Sequence, residues 1–240
     1  MMARETVLIV GASGDIGQAI AKQLADLGYQ LILHYHRNVK ALGELKEQIH
    51  HDLIVAEVQA DLTKTSEIKR FLKMINFSIE KLVFASGIQH FGLFQDTTEQ
   101  TMDQMLTLHV KVPWLITKQL LPQMIRRRKG NIVLITSIWG TFGASYEVIY
   151  STLKGAQNSF VKSLAKEVAP SGISVNAVSP GFIETKMNDH LDDMEKKAII
   201  SDIPMNRAGT VTDIANTVCF LLDEKSSYIQ GEIINVTGGW

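Results

Sequence analysis

The feature that most constrains this 240-residue chain is its regular exchange of short β-rich runs for longer helical patterns. Strands joined by helices rather than by tight turns run in one direction, so the exchange predicts a parallel sheet wound by crossover helices on both faces. The predicted strands are Thr6 to Val10, Gln30 to His34, Leu53 to Gln59, Lys81 to Ala85, Asn131 to Thr136, Ser174 to Ser179 and Glu232 to Val236. The predicted helices are Ile16 to Leu27, Val39 to His50, Ser66 to Ile75, a long one within Thr98 to Arg128, Tyr150 to Ala169, and Val211 to Leu222. A hydrophobic content of 45% is enough to fill a core on both faces of such a sheet, and the length suits one domain, 1–240, with no second. One interval is odd. Between Pro180 and Thr210 the chain turns polar, with Asp189, Asp192, Asp193, Glu195, Lys196 and Lys197, and a lid-like insertion is predicted at about 185–209.

A formal net charge of −1 gives no global attraction to nucleic acid or to an anionic membrane. The single cysteine, Cys219, lies in an apolar run and cannot close an internal disulfide, which fits a reducing cytoplasm. The apolar run Val7 to Val10 is too short for a signal peptide, and no stretch reaches the length of a membrane span. A soluble cytoplasmic protein is expected, with no metal site.

The segment Val10-Gly11-Ala12-Ser13-Gly14-Asp15-Ile16-Gly17 follows a predicted strand and opens a helix. A helix start offers unpaired N–H groups and a positive dipole end to a pyrophosphate, while Gly11 and Gly17 permit close backbone approach. The context is that of a dinucleotide site in a Rossmann-type, doubly wound α/β fold. Asp15 stands where a third glycine is common; it favours the helix dipole at some cost in phosphate affinity. After the second strand, His34-Tyr35-His36-Arg37-Asn38 has no acid to accept from a ribose 2′-hydroxyl. His36 and Arg37 instead suit a 2′-phosphate, so NADP(H) is favoured over NAD(H), the other reading being a solvated basic loop.

Tyr150 and Lys154 are four residues apart and share one helix face, and Ser137 closes the apolar strand before them. An ammonium beside a phenol favours the phenolate and lowers a pKa of about 10 toward neutrality. The expected chemistry is carbonyl reduction: the carbonyl carbon accepts hydride, Tyr150 protonates its oxygen, and the Ser137 hydroxyl holds that oxygen.

In this order the motifs resemble those of the short-chain dehydrogenase/reductase family over essentially the whole chain: the glycine segment, Asp61-Leu62, Ser86-Gly87, Ser137, Tyr150, Lys154 and Pro180-Gly181. The resemblance implies that Gly11, Ser13, Gly14, Asp15, Ile16 and Gly17 hold the cofactor's pyrophosphate end. It further implies that Asp61 and Leu62 flank the adenine, that Ala85, Ser86 and Gly87 line the ribose and nicotinamide region, and that, past Pro180 and Gly181, which also belong to the cofactor site, Ile183 and Thr185 contact the carboxamide and phosphates. Tyr150 and Lys154 would also touch the cofactor. The ending Ile229 to Trp240 is similar to the 3-oxoacyl-acyl-carrier-protein reductase subgroup, which implies a homotetramer.

Two positions depart from that pattern. Phe84-Ala85-Ser86-Gly87 replaces the family's Asn-Asn-Ala-Gly, so packing must substitute for amide hydrogen bonds. His109 replaces the asparagine that organises a proton relay; it is read either as a relay itself or as a satisfied helix histidine. With Ser137-Ile138-Trp139-Gly140 and His90-Phe91-Gly92-Leu93, these departures are similar to a narrower group, the elongation factor P 5-aminopentanone reductases. That likeness implies a ketone carried on elongation factor P; the alternative is a 3-oxoacyl group on acyl carrier protein, and a third reading is a non-catalytic cofactor-binding scaffold. Trp139, Phe142, Phe91 and Phe94 are read as channel walls or as packing. The acidic lid residues are read as attractors of an amine or as a solvated face, and Arg126-Arg127-Arg128-Lys129 as a helix terminus or a docking patch.

Overall fold

The structure, a computed structural model, describes residues 4–189 and 191–240, so position 190 in the predicted lid and positions 1–3 lie outside the described residues. Seven strands form one sheet: β1 (Thr6–Val10), β2 (Gln30–Tyr35), β3 (Ile54–Gln59), β4 (Lys81–Phe84), β5 (Gly130–Ile135), β6 (Ile173–Pro180) and β7 (Ile233–Val236). Every pairing is parallel and the order is β3-β2-β1-β4-β5-β6-β7. The order reverses beside β1, and at such a point two βα loops diverge and leave a crevice at the carboxyl ends of the strands.

Alternation along each strand sends its side chains to two cores. Leu8 and Val10 pack with Phe71 of α3 (Thr65–Met74), Ile116 of α5 (Val112–Arg127) and Val161 of α7 (Val148–Val168). Val7 and Ile9 pack with Ile20 of α1 (Asp15–Asp26), Leu42 of α2 (Val39–Glu47) and Ile214 of α9 (Val211–Leu222). Phe84 is buried in the first cluster, so apolar packing does fix the end of β4 where the family has an amide.

Three local features differ from expectation. The long helix is interrupted: α4 (Glu99–Leu106) passes into one π-helical turn, Thr107–Lys111, before α5. The polar interval contains a helix, α8 (Asp193–Asp202), started by a capping box between Asp192 and Glu195. Its base is clasped where the Gly209 N–H donates to the Phe182 carbonyl and the Glu184 N–H to the Gly209 carbonyl, each at 2.9 Å. A short turn, α6 (Trp139–Phe142), follows β5.

The opposite end of the sheet is pinned by charge. Lys81 is 2% exposed; its Nζ donates to the Leu222 carbonyl at 2.8 Å and to Asn131 Oδ1 at 2.9 Å, and pairs with Glu5 at 2.9 Å. The basic run after α5 serves the same end: Arg127 pairs with Glu80, Lys129 with Glu5, and Arg128 donates to the Pro170 carbonyl. Three of the four members of that run thus cross-link the chain internally.

Candidate active site

The turn between β1 and α1 is built by close approach. Gly11 has φ +94°, and a Cβ there would lie 2.6 Å from the Ser86 nitrogen; at Gly17 it would lie 2.1 Å from the Gly11 carbonyl oxygen. Neither position accepts a side chain without moving backbone. His34, buried at the tip of β2, locks the turn: its Nδ1 accepts from the Gly11 N–H and its Nε2 donates to the Ala60 carbonyl, both at 3.1 Å. Burial holds this imidazole neutral, with its pKa lowered to about 4. Gly14 caps α1 without a side-chain acceptor, and Ser13, Gly14, Asp15 and Ile16 line a cavity of about 840 Å³. An uncapped helix start facing a cavity fits the phosphates of a dinucleotide. The Asp15 carboxylate turns aside to accept from the Lys186 N–H at 2.7 Å.

The same cavity is lined by Ala85, Ser86, Gly87, Ser137, Tyr150, Lys154, Pro180, Gly181, Ile183 and Thr185. Parallel strands delivering β4, β5 and β6 side by side explain why residues this far apart in sequence meet there. Ser137 lies just past β5, its Oγ accepting from the Trp139 N–H at 3.2 Å. Tyr150 is nearly buried on the first turns of α7, with Lys154 Nζ 5.4 Å from its ring centre.

The electrostatics differ from the expected pairing. Burial pushes the Tyr150 phenol above its ordinary value, the Glu147 charge pushes it further, and a hydrogen bond with Ser137 acts the other way. The Lys154 ammonium is itself lowered to about 7 by complete burial, and it donates to the Ile135 carbonyl at 2.8 Å. The tyrosine is thus held as a neutral phenol, the form that gives a proton, and the lysine does not bring it toward neutrality in this arrangement.

His109 is fully buried in the π-helical turn and meets the Tyr150 ring edge-on at 5.7 Å. Its Nε2 lies 2.8 Å from the Ile88 carbonyl and 3.2 Å from the Ile88 N–H; the shorter contact assigns the proton to Nε2. Burial, then the nearby Lys154 charge, lowers its pKa to about 3. The ring is tied to main chain through Nε2 alone, while its Nδ1 is buried with no hydrogen-bond partner among the described residues, so the structure satisfies half of it and the satisfied-histidine reading holds only in part. The extra residue of the π turn accompanies a second tie, in which Gln157 Nε2 donates to the His109 carbonyl at 2.7 Å.

At the tips of β2 and β3, His36 Nε2 lies 3.6 Å from Asp61 Oδ2. Burial would raise the Asp61 pKa, but hydrogen bonds from Thr63 and Lys64 outweigh it and hold the carboxylate at about 2. Arg37 is exposed beside them. The Leu62 side chain belongs to the core and does not line the cavity. The acidic residues of the polar interval are corrected as cavity charges: none of Asp189, Asp192, Asp193 and Glu195 lines this cavity, Asp192 and Glu195 cap α8, and the interval contributes Thr185, Lys186, Met187, Asn188, Leu191 and Ile199 instead. Among the aromatics, Trp139 and Phe91 line the cavity, whereas Phe142 and Phe94 are exposed elsewhere. Sequence reasoning missed Asn38, Gln89 and Glu147, all cavity-lining, and the His34 lock. For Glu147 the signal was present: a lone acid immediately before the helix that carries Tyr150.

A parallel sheet with a glycine turn at its crevice and a Ser, Tyr, Lys set beside it defines an oxidoreductase of the dinucleotide-binding class. The family described as enoyl-(acyl carrier protein) reductase matches residues 11–240, and the chain belongs to this branch of the short-chain dehydrogenase/reductase family. It is 48% identical over 238 residues to the uncharacterized oxidoreductase YmfI of Bacillus subtilis, covering 98% of each chain. It is 36% identical over 239 residues to the 3-oxoacyl-[acyl-carrier-protein] reductase FabG of Staphylococcus epidermidis, again covering 98% of each. Among solved structures, a putative 2-deoxy-D-gluconate 3-dehydrogenase from Agrobacterium tumefaciens with bound NADP superposes with a TM-score of 0.90 at 28% identity, covering 100% of this chain and 97% of that one.

Proposed function

We propose that this protein is an NADP(H)-dependent ketone reductase in which Tyr150 is the general acid. The observation that carries the reading is the meeting of Ser137, Tyr150 and Lys154 in the cavity that the glycine turn opens into. When bound, the reduced nicotinamide supplies hydride. Tyr150 delivers its proton to the carbonyl oxygen as negative charge gathers there, and Ser137 donates a hydrogen bond to the same oxygen. Ser13 to Ile16 would hold the pyrophosphate and Ala85 to Gly87 the ribose; Lys154 would bind the nicotinamide ribose. His109 would hold the Ile88 main chain and pack edge-on against Tyr150. Arg37 and the lack of an acid at the tip of β2 favour the 2′-phosphorylated cofactor, and the NADP-bound relative supports that choice.

For the substrate, a ketone on a protein is proposed, specifically the 5-aminopentanone group of elongation factor P. The support is the likeness of Ser137-Ile138-Trp139-Gly140 and His90-Phe91-Gly92-Leu93 to the aminopentanone reductase group, together with an acid in the cavity wall. The test is the mass of elongation factor P from cells lacking this protein: a product two hydrogens lighter is expected, and an unchanged modification refutes the substrate. The second reading, 3-oxoacyl-acyl-carrier-protein reduction, is favoured by the FabG relatives; brisk NADPH oxidation with an acetoacetyl thioester would support it. A cytoplasmic homotetramer is the proposed assembly, testable by sedimentation. Among the described residues no helix is long and apolar enough to cross a membrane.

A further inference from the structure

Asp15 joins two parts of the chain that lie 171 positions apart. Its Oδ2 accepts from the Lys186 N–H at 2.7 Å, at the first residue of the short 3₁₀ turn Lys186–Asn188. Thr185, just before that turn, makes no side-chain capping bond, so the acid of the glycine turn caps it from another element. The root of this stretch is held by the clasp between Gly209 and the Phe182 and Glu184 main chain, and Asn188 Nδ2 closes the turn on the Ile183 carbonyl at 2.8 Å. Beyond that root the stretch is a thin partition. Thr185, Lys186 and Asn188 line the main cavity and also a second one of about 440 Å³, which Lys196 and Ile200 of α8 wall behind them. A segment with void on two faces has few packed neighbours, so a single hydrogen bond weighs heavily in its order.

The carboxylate that makes this bond sits in the first turn of α1, beside the helix start that would take a pyrophosphate, and its charge opposes an anionic guest. A phosphate seated there would fix the backbone of Gly14 and Asp15, and with it the position from which Asp15 reaches Lys186. We infer that Asp15 is a positioning residue that couples the two events: a bound dinucleotide steadies 185–188, and the steadied stretch in turn holds the dinucleotide and completes the cavity wall. Reciprocity makes the two effects equal in free energy. The inference rests on the dinucleotide reading of the cavity and adds to it a tie that acts through the Lys186 main chain, away from the reacting atoms.

The test is hydrogen–deuterium exchange at the amides of Lys186 to Asn188 with and without NADPH, together with NADPH affinity, in the parent, Asp15→Asn and Asp15→Ala. Both variants remove the charge from the first turn of α1, but only asparagine keeps an oxygen that can accept from Lys186, so a difference between them reports the tie and not the helix. NADPH should slow exchange by about tenfold or more in the parent and in Asp15→Asn. In Asp15→Ala exchange should be about tenfold faster without NADPH, and NADPH should slow it by less than about threefold. Asp15→Asn should bind NADPH about threefold more tightly than the parent, because a like charge is gone, and Asp15→Ala at least about threefold more weakly than Asp15→Asn. Exchange in Asp15→Ala that matches the parent overturns the inference. NADPH that binds the parent without slowing exchange at these amides also overturns it, while leaving the dinucleotide reading standing. A parent that does not bind NADPH removes both.

Discussion

Lowering the pH from 7.5 to 5 should destabilise this protein by an amount set by two buried imidazoles. His34 and His109 have folded pKa values of about 4 and about 3, against 6.5 when unfolded. Below pH 6.5 the unfolded chain takes up protons that the folded chain refuses, so stability is complete above that value and lost as pH falls toward the folded pKa values. The slope is about 1.4 kcal/mol per pH unit for each group, and the interval from 6.5 to 5 removes about 2 kcal/mol apiece, about 4 in all. Lys154, lowered to about 7, adds less than about 1 kcal/mol in the same direction over this window. The shifted carboxylates Asp61 and Asp213, both held at about 2, do not interfere, because their contributions are lost only below about pH 4. Urea unfolding at the two pH values and one protein concentration measures the loss. His34→Gln, which cannot titrate, should lower stability at pH 7.5 by breaking the lock on Gly11, yet cut the acid-dependent loss by about 2 kcal/mol. If that variant loses as much between pH 7.5 and 5 as the parent, the buried, neutral His34 described above is wrong.

Tyr150→Phe should lower the rate of ketone reduction by about 10²- to 10⁴-fold while NADPH still binds, as read by fluorescence; retained activity would remove the general-acid role. Lys154→Ala should impair both turnover and cofactor affinity, and loss of turnover alone would argue against contact with the cofactor. Arg37→Ala should weaken NADPH use by about tenfold and leave NADH use little changed, with kcat/KM for each cofactor as the measurement. Gly17→Ala should abolish cofactor binding by displacing the turn, since its Cβ meets the Gly11 carbonyl; unchanged NADPH affinity would contradict the packing described.

The sheet was legible because apolar runs and helical periods recur in the chain itself, and β1, α1 and α9 lie within a residue or so of where the pattern places them. α8 was not, because its stripe is too weakly apolar to stand out from a solvated segment. The π turn at Thr107–Lys111 was hidden for a different reason: one extra residue in a helix leaves the local hydrophobic spacing nearly intact. Ser137, Tyr150 and Lys154 were readable from spacing, whereas the direction of Lys154 toward Ile135 was not, since spacing fixes a face but not a rotamer. The His34 lock joins three strand ends, and Arg127 finds Glu80 across 47 positions; no local pattern encodes either.

The nearness of Glu147 to Tyr150 bears on when the phenol reacts. Its charge keeps the phenol reluctant to part with its hydrogen. A carbonyl oxygen that gains charge on reduction would draw that hydrogen across, so proton transfer would wait on hydride.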